Sequence, residues 1–198
     1  MILLSWNENE YTKITDKTIN NIPCFKIIRG RWSKRYNENI QNIIKMVLYL
    51  SMTRKDEPGN EVGILARIDG RHTCKPIYGY CNKYNVPSIS NENAEYQKTI
   101  EYGEINKYVF VHNHPNNSVL SINDIKNLLY TPQINTVIAV GNNGEIHYVQ
   151  KTSKEYNIYE YVLRLYTRYI GKHFCGDVEK LSYAWLVENQ CRLKLSIR

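Results

Sequence analysis

A chain of 198 residues, 42% apolar and 23% charged, suits one globular domain with a substantial core and is too short for two comfortable ones. Its formal charge of +7 is scattered rather than gathered into an arginine-rich run, so charge alone argues for solvated faces and not for nucleic acid. Five cysteines without a Cys-x-x-Cys pair leave a zinc ribbon unsupported and fit reduced thiols in a cytosol, and no apolar run approaches the ~20 residues that span a bilayer.

In chain order, Met1-Ile2-Leu3-Leu4 is too short, and lacks the basic flank, for a secretory signal. The expected location is therefore the cytoplasm. One or two short strands are expected around Phe25-Lys26-Ile27-Ile28. Ile40, Ile43, Ile44, Val47, Leu48 and Leu50 recur at helical spacing, so 34–54 reads as an amphipathic helix lying on a sheet. Asp56-Glu57-Pro58-Gly59-Asn60 breaks it, and Glu61-Val62-Gly63-Ile64-Leu65-Ala66-Arg67-Ile68 reads as a strand. Residues 71–107 are less legible, with a strand expected within 76–86 and a polar helix within 91–106. His72 has no companion at ligand spacing and reads as a surface residue.

Val109-Phe110-Val111-His112-Asn113-His114-Pro115 is an extended run that ends at its proline. Two histidines at i and i+2 on such a run point to one side. Ser121-Ile122-Asn123-Asp124 has the form of a helix start capped by Ser121. Two imidazoles at a strand end and a carboxylate in the next helix's first turn match the three protein ligands of a catalytic zinc, with a fourth position for water. The alternative stays open that Ser121 and Asp124 form only a capping box.

Thr136–Val140 and Glu145–Val149 then read as a hairpin turned at Asn143-Gly144, with His147 an ordinary strand residue. Beyond Ser153 the pattern is helical. Ile158, Val162, Leu165, Tyr166 and Tyr169 make one apolar face, and a last helix covers about 178–191.

His-Asn-His-Pro followed by Ser-Ile-Asn-Asp resembles the signature of the JAMM metalloproteases, also called MPN-plus or JAB-type. The wording is nearest to bacterial RadC-type and phage-associated members. Five residues (116–120) stand between Pro115 and Ser121 where many members have six, and Glu61 lies one residue closer to Gly63 than in the family's Glu-x-x-Gly-Ile-Leu strand. The resemblance covers about 34–150 and leaves 153–198 as a C-terminal helical extension of the one domain. It implies an α/β fold of the JAMM/MPN (cytidine-deaminase-like) type, a mixed sheet flanked by helices.

The same resemblance implies Zn2+ held by His112, His114 and Asp124, Glu61 as the proton shuttle, and Ser121 as a helper of the oxyanion. Glu57, in the preceding turn, is the rival base, and a solvent-facing strand-end Glu61 is the plainer alternative. The implied activity is hydrolysis of a peptide or isopeptide bond, with a ubiquitin-like protein conjugate as one expected partner. Two other classes compete: a non-catalytic scaffold of the same fold, and a RadC-like DNA-associated protein. The first is disfavoured because such scaffolds typically lack these ligands. The second is favoured only by the net charge and the motif wording.

Overall fold

A computed structural model describes residues 12–24, 26, 33–54, 61–79, 93–153, 155, 157–172 and 178–198. The one or two strands expected around 25–28, the breaker at 56–60 with Glu57, and 80–86 of the expected 76–86 strand lie outside these, apart from Lys26. The described chain is α/β, with a six-stranded mixed sheet in the order β2-β1-β3-β4-β5-β6 flanked by helices. None of those helices is long and apolar enough to cross a membrane.

A short α1 (Asp16–Asn20) is capped by Thr15, and α2 (Ser33–Thr53) follows. The spacing of its apolar residues buries Ile40, Ile43, Ile44, Val47 and Leu48 along one stripe. That stripe packs on one face of the sheet against Val62, Ile64 and Ala66 of β1 (Val62–Arg67) and Val109 and Val111 of β3 (Tyr108–His114). The opposite face carries Leu65, Tyr108 and Phe110 beneath the later helices. All seven residues of β3 are buried, as expected for a central strand covered on both sides.

β1 runs antiparallel to β3, with Gly63 opposite His112, and at its other edge pairs with the two-residue β2 (Ile77–Tyr78). α3 (Ala94–Tyr102) occupies the middle of the polar helix expected within 91–106, and Asn93 caps it. β3 is parallel to β4 (Ile134–Gly141), which requires a crossover. α4 (Ile122–Tyr130) supplies it, burying Ile125, Leu128 and Leu129. The first turn of α4 therefore lies just past the carboxyl end of β3, where open α/β sheets form their crevices. The expected hairpin leads into β5 (Ile146–Lys151), turned at Gly144, whose φ of 88° suits glycine.

The C-terminal segment differs from a purely helical extension. α5 (Asn157–Lys172) and α6 (Val178–Asn189) are followed by β6 (Leu195–Ile197), which pairs antiparallel with β5 and adds an edge strand. The buried face of α5 is Tyr159, Val162 and Tyr166; Ile158, Leu165 and Tyr169 are only partly buried.

Lys151, at the end of β5, is buried among this packing. Its ammonium donates to the Thr131 carbonyl at 2.8 Å and stands 5.3 Å from the Tyr159 ring centre. Burial pulls this amine down to about 7. The unfolded chain keeps the proton up to a pH of ~10.4, so between pH ~7 and ~10 it binds more protons than the folded state, and stability rises with pH across that window. Lys151→Met should flatten the rise, read as the melting temperature between pH 7 and 10. Equal slopes in wild type and variant would contradict the assignment.

Candidate metal centre

The His112 and His114 rings project from the same face of β3 at its carboxyl end, as residues two apart on a strand must. Their Nε2 atoms lie 2.9 Å apart, and the rings are 2% and 5% exposed. His112 stacks on Phe110, with ring centres 5.2 Å apart and planes at 18°. His114 Nδ1 meets the Ser118 carbonyl at 2.9 Å. A ring nitrogen facing a carbonyl must carry the hydrogen, so the network assigns a proton to Nδ1 and leaves Nε2 as the nitrogen that meets a metal or, without one, a second proton. This is the orienting contact that ligating histidines use.

The five-residue loop brings the carboxylate in. Asn117, at a φ of 57°, accepts from the Asn143 N–H and donates to Thr12 Oγ1, while Leu120 is fully buried. Ser121 caps α4 in a reciprocal capping box: its Oγ accepts from the Asp124 N–H, and Asp124 Oδ2 accepts from the Ser121 N–H at 2.8 Å. The Ser121 hydroxyl also donates to Oδ2 at 2.6 Å. So held, Asp124 sets Oδ1 3.3 Å from His112 Nε2 and Oδ2 3.6 Å from His114 Nε2. Capping and convergence on the histidines are compatible in one residue.

Glu61 precedes β1 and reaches the same point from the neighbouring strand, with Oε1 3.8 Å from His114 Nε2. Two carboxylates thus face a pair of imidazoles in a largely buried space, and their charge must be met by a cation. Without a metal a proton takes that place. Burial pulls the His114 imidazole down, but its hydrogen bond to Asp124 and the charges of Glu61 and Asp124 outweigh burial and lift it to about 9. Burial likewise pushes the Asp124 carboxyl up, yet the two histidines hold it well below the usual carboxylate range. Glu61 and Asp124 keep 13% and 15% side-chain exposure, so water reaches the site from the carboxylate side.

His112, His114 and Asp124 offer ligand atoms all within 4.8 Å of one another and could hold a metal ion. Zinc bonds of ~2.0–2.1 Å in a tetrahedron place ligand atoms ~3.3–3.4 Å apart. The two histidine Nε2 atoms, 2.9 Å apart, and Asp124 Oδ1, 3.3 Å from His112 Nε2, lie at or a few tenths short of that edge, and the donor set suits zinc. Glu61 stands beside this trio rather than in it.

Asn113, between the two histidines, faces the other way and was not singled out from sequence. Its Oδ1 accepts from the Val62 N–H at 2.7 Å, and its amide donates to Ser51 Oγ at 3.2 Å and to Asn142 Oδ1 at 3.1 Å. It fastens the residue after Glu61 to the strand that carries the histidines. Asn113→Ala strips a buried donor and two buried acceptors of their partner, and should cost at least about 2 kcal/mol. Urea unfolding checks this; a loss below about 0.5 kcal/mol would refute the anchoring role.

His147 pairs with Glu145 at 3.6 Å, sits edge-on to Tyr183, and stands outside the trio. His72 lies at the surface as expected, with 41% of its side chain exposed, but it does have companions. Its Nε2 is 3.4 Å from Cys74 Sγ and 3.8 Å from Glu95 Oε1, a second group able to hold a metal ion. The signal present in the sequence was His72-x-Cys74 at same-face spacing; Glu95 joins only through the fold. No protein-family model, curated protein or solved structure matches the chain.

Proposed function

We propose that the chain is a zinc-dependent hydrolase of amide bonds of the JAMM type, with His112, His114 and Asp124 holding the metal. The observation that carries this reading is the convergence of two same-face histidines and a first-turn aspartate, with Glu61 close by but outside the ligand group. When bound, zinc supplies a Lewis acid for the scissile carbonyl and lowers the pKa of a coordinated water to about 7. Glu61 takes a proton from the attacking water and returns it to the leaving nitrogen as the C–N bond breaks. Its place beside His114, with some solvent exposure, suits a group that must meet water without occupying a ligand position.

Ser121 contributes to the developing oxyanion by turning its hydroxyl proton from Asp124 Oδ2 to the substrate oxygen. Removing one such donor typically costs about 10²–10³-fold in kcat. The substrate class, a peptide or an isopeptide such as a ubiquitin-like conjugate, rests on the motif resemblance.

The test is cleavage of ubiquitin-like fusions and of short amide-linked peptides. Activity should vanish with a chelator and return with zinc. Duplex-DNA affinity should be weak and fall steeply with salt. Cleavage that ignores the chelator would overturn the reading, as would salt-resistant, sequence-specific DNA binding without any cleavage.

A further inference from the structure

We propose that His72, Cys74 and Glu95 form a second metal site, independent of the histidine pair on β3, that takes a thiophilic divalent cation such as zinc. The backbone builds it in the same manner as the first. The Arg67 N–H donates to the His72 carbonyl at 2.7 Å, the Cys74 N–H donates to the Leu65 carbonyl at 2.9 Å, and Thr73 bridges to Ala66. The segment is thereby extended along β1, and residues 72 and 74 project to the same side. Glu95 comes from the first turn of α3, which Asn93 caps through the Glu95 and Tyr96 N–H groups.

The carboxylate is already oriented. Glu95 Oε2 accepts from the Lys75 N–H at 2.9 Å, while Oε1 lies 3.8 Å from His72 Nε2. Cys74 Sγ, 3.4 Å from that same Nε2, rests 3.6 Å from Thr99 Oγ1, which can donate to a thiolate. Zinc–sulfur and zinc–nitrogen bonds of ~2.3 and ~2.0–2.1 Å in a tetrahedron separate the two atoms by about 3.6 Å. The pair as it stands needs little adjustment. The cysteine is 2% exposed, whereas the His72 and Glu95 side chains keep 41% and 35%, so the open side admits a water as fourth ligand. Sulfur selects zinc-like ions over magnesium or calcium. Such an ion fastens the 72–75 segment to α3 at the edge of the sheet, a structural role that needs no substrate.

Cobalt(II) loading tests the proposal, because only a cysteine ligand gives a thiolate-to-metal charge-transfer band. Wild type should take up two equivalents and show the band. Cys74→Ser should lose the band and one equivalent, His72→Ala should do the same, and Cys191→Ser, altering an exposed thiol, should change neither. His114→Ala should lose the other equivalent and keep the band, so failure of either site is read separately. A wild type without the band overturns the proposal, as does a band that survives in Cys74→Ser. Should Cys74→Ser not fold, His72→Ala decides, since it alters a half-exposed position: an undiminished band and uptake there overturn the site.

Discussion

Glu61→Gln should lower amide-bond turnover by about 10²–10⁴-fold, the usual contribution of a general acid–base group, while metal content and melting temperature stay near wild type. Glutamine keeps the length and hydrogen-bonding reach of the side chain but cannot accept the proton. The separation of effects follows from position. Glu61 Oε1 lies 3.8 Å from His114 Nε2 and stands outside the group of three that could hold a metal. The same change at Glu57, outside the described residues, should be nearly silent. An active Glu61→Gln beside a dead Glu57→Gln would mean that the base has been misassigned. Full activity in both would end the glutamate-assisted mechanism.

Asp124→Asn should have the opposite signature, with metal and activity lost together. Its carboxylate does two things at once. Oδ1 faces His112 at 3.3 Å, and Oδ2 closes the cap of α4 through Ser121. Asparagine retains an oxygen for the Ser121 N–H, so the cap should weaken by about 1 kcal/mol or less on the scale of N-cap exchanges. The negative charge is what the site cannot replace. With it gone, His114 loses the hydrogen bond and charge that, with Glu61, outweigh its burial, and a divalent ion loses its anionic ligand. Metal analysis and a melting curve on the same sample separate the two roles. Retained metal in Asp124→Asn would remove the residue from the ligand set.

The parts legible in the sequence are those punctuated locally. Pro115 ends β3 after His114, and Ser121 with Asp124 opens α4; both are written in neighbouring residues, and the chain folds there as they direct. The stripe from Ile40 to Leu48 is equally local. What the sequence did not disclose depends on distant partners. The antiparallel register that sets Gly63 against His112, and with it brings Glu61 near His114, is fastened by Asn113 and Val62, 51 residues apart. β2 is two residues long and exists by pairing with β1. β6 is poorly legible although Leu193, Leu195 and Ile197 alternate with polar residues; three paired residues directly after a helix and its turn give too short a pattern to stand out. His72 and Cys74 stand two apart in the sequence, but Glu95 meets them only once α3 has docked.

The most direct measurement is zinc content per chain in wild type and His114→Ala, prepared and loaded side by side. His114 is the residue on which the site turns: its Nδ1 is held by the Ser118 carbonyl and its Nε2 faces His112, Asp124 and Glu61. Removing its ring should lower the zinc content by one equivalent and abolish chelator-sensitive hydrolysis. Equal zinc in the two proteins would contradict the assignment of His112, His114 and Asp124 as a metal centre.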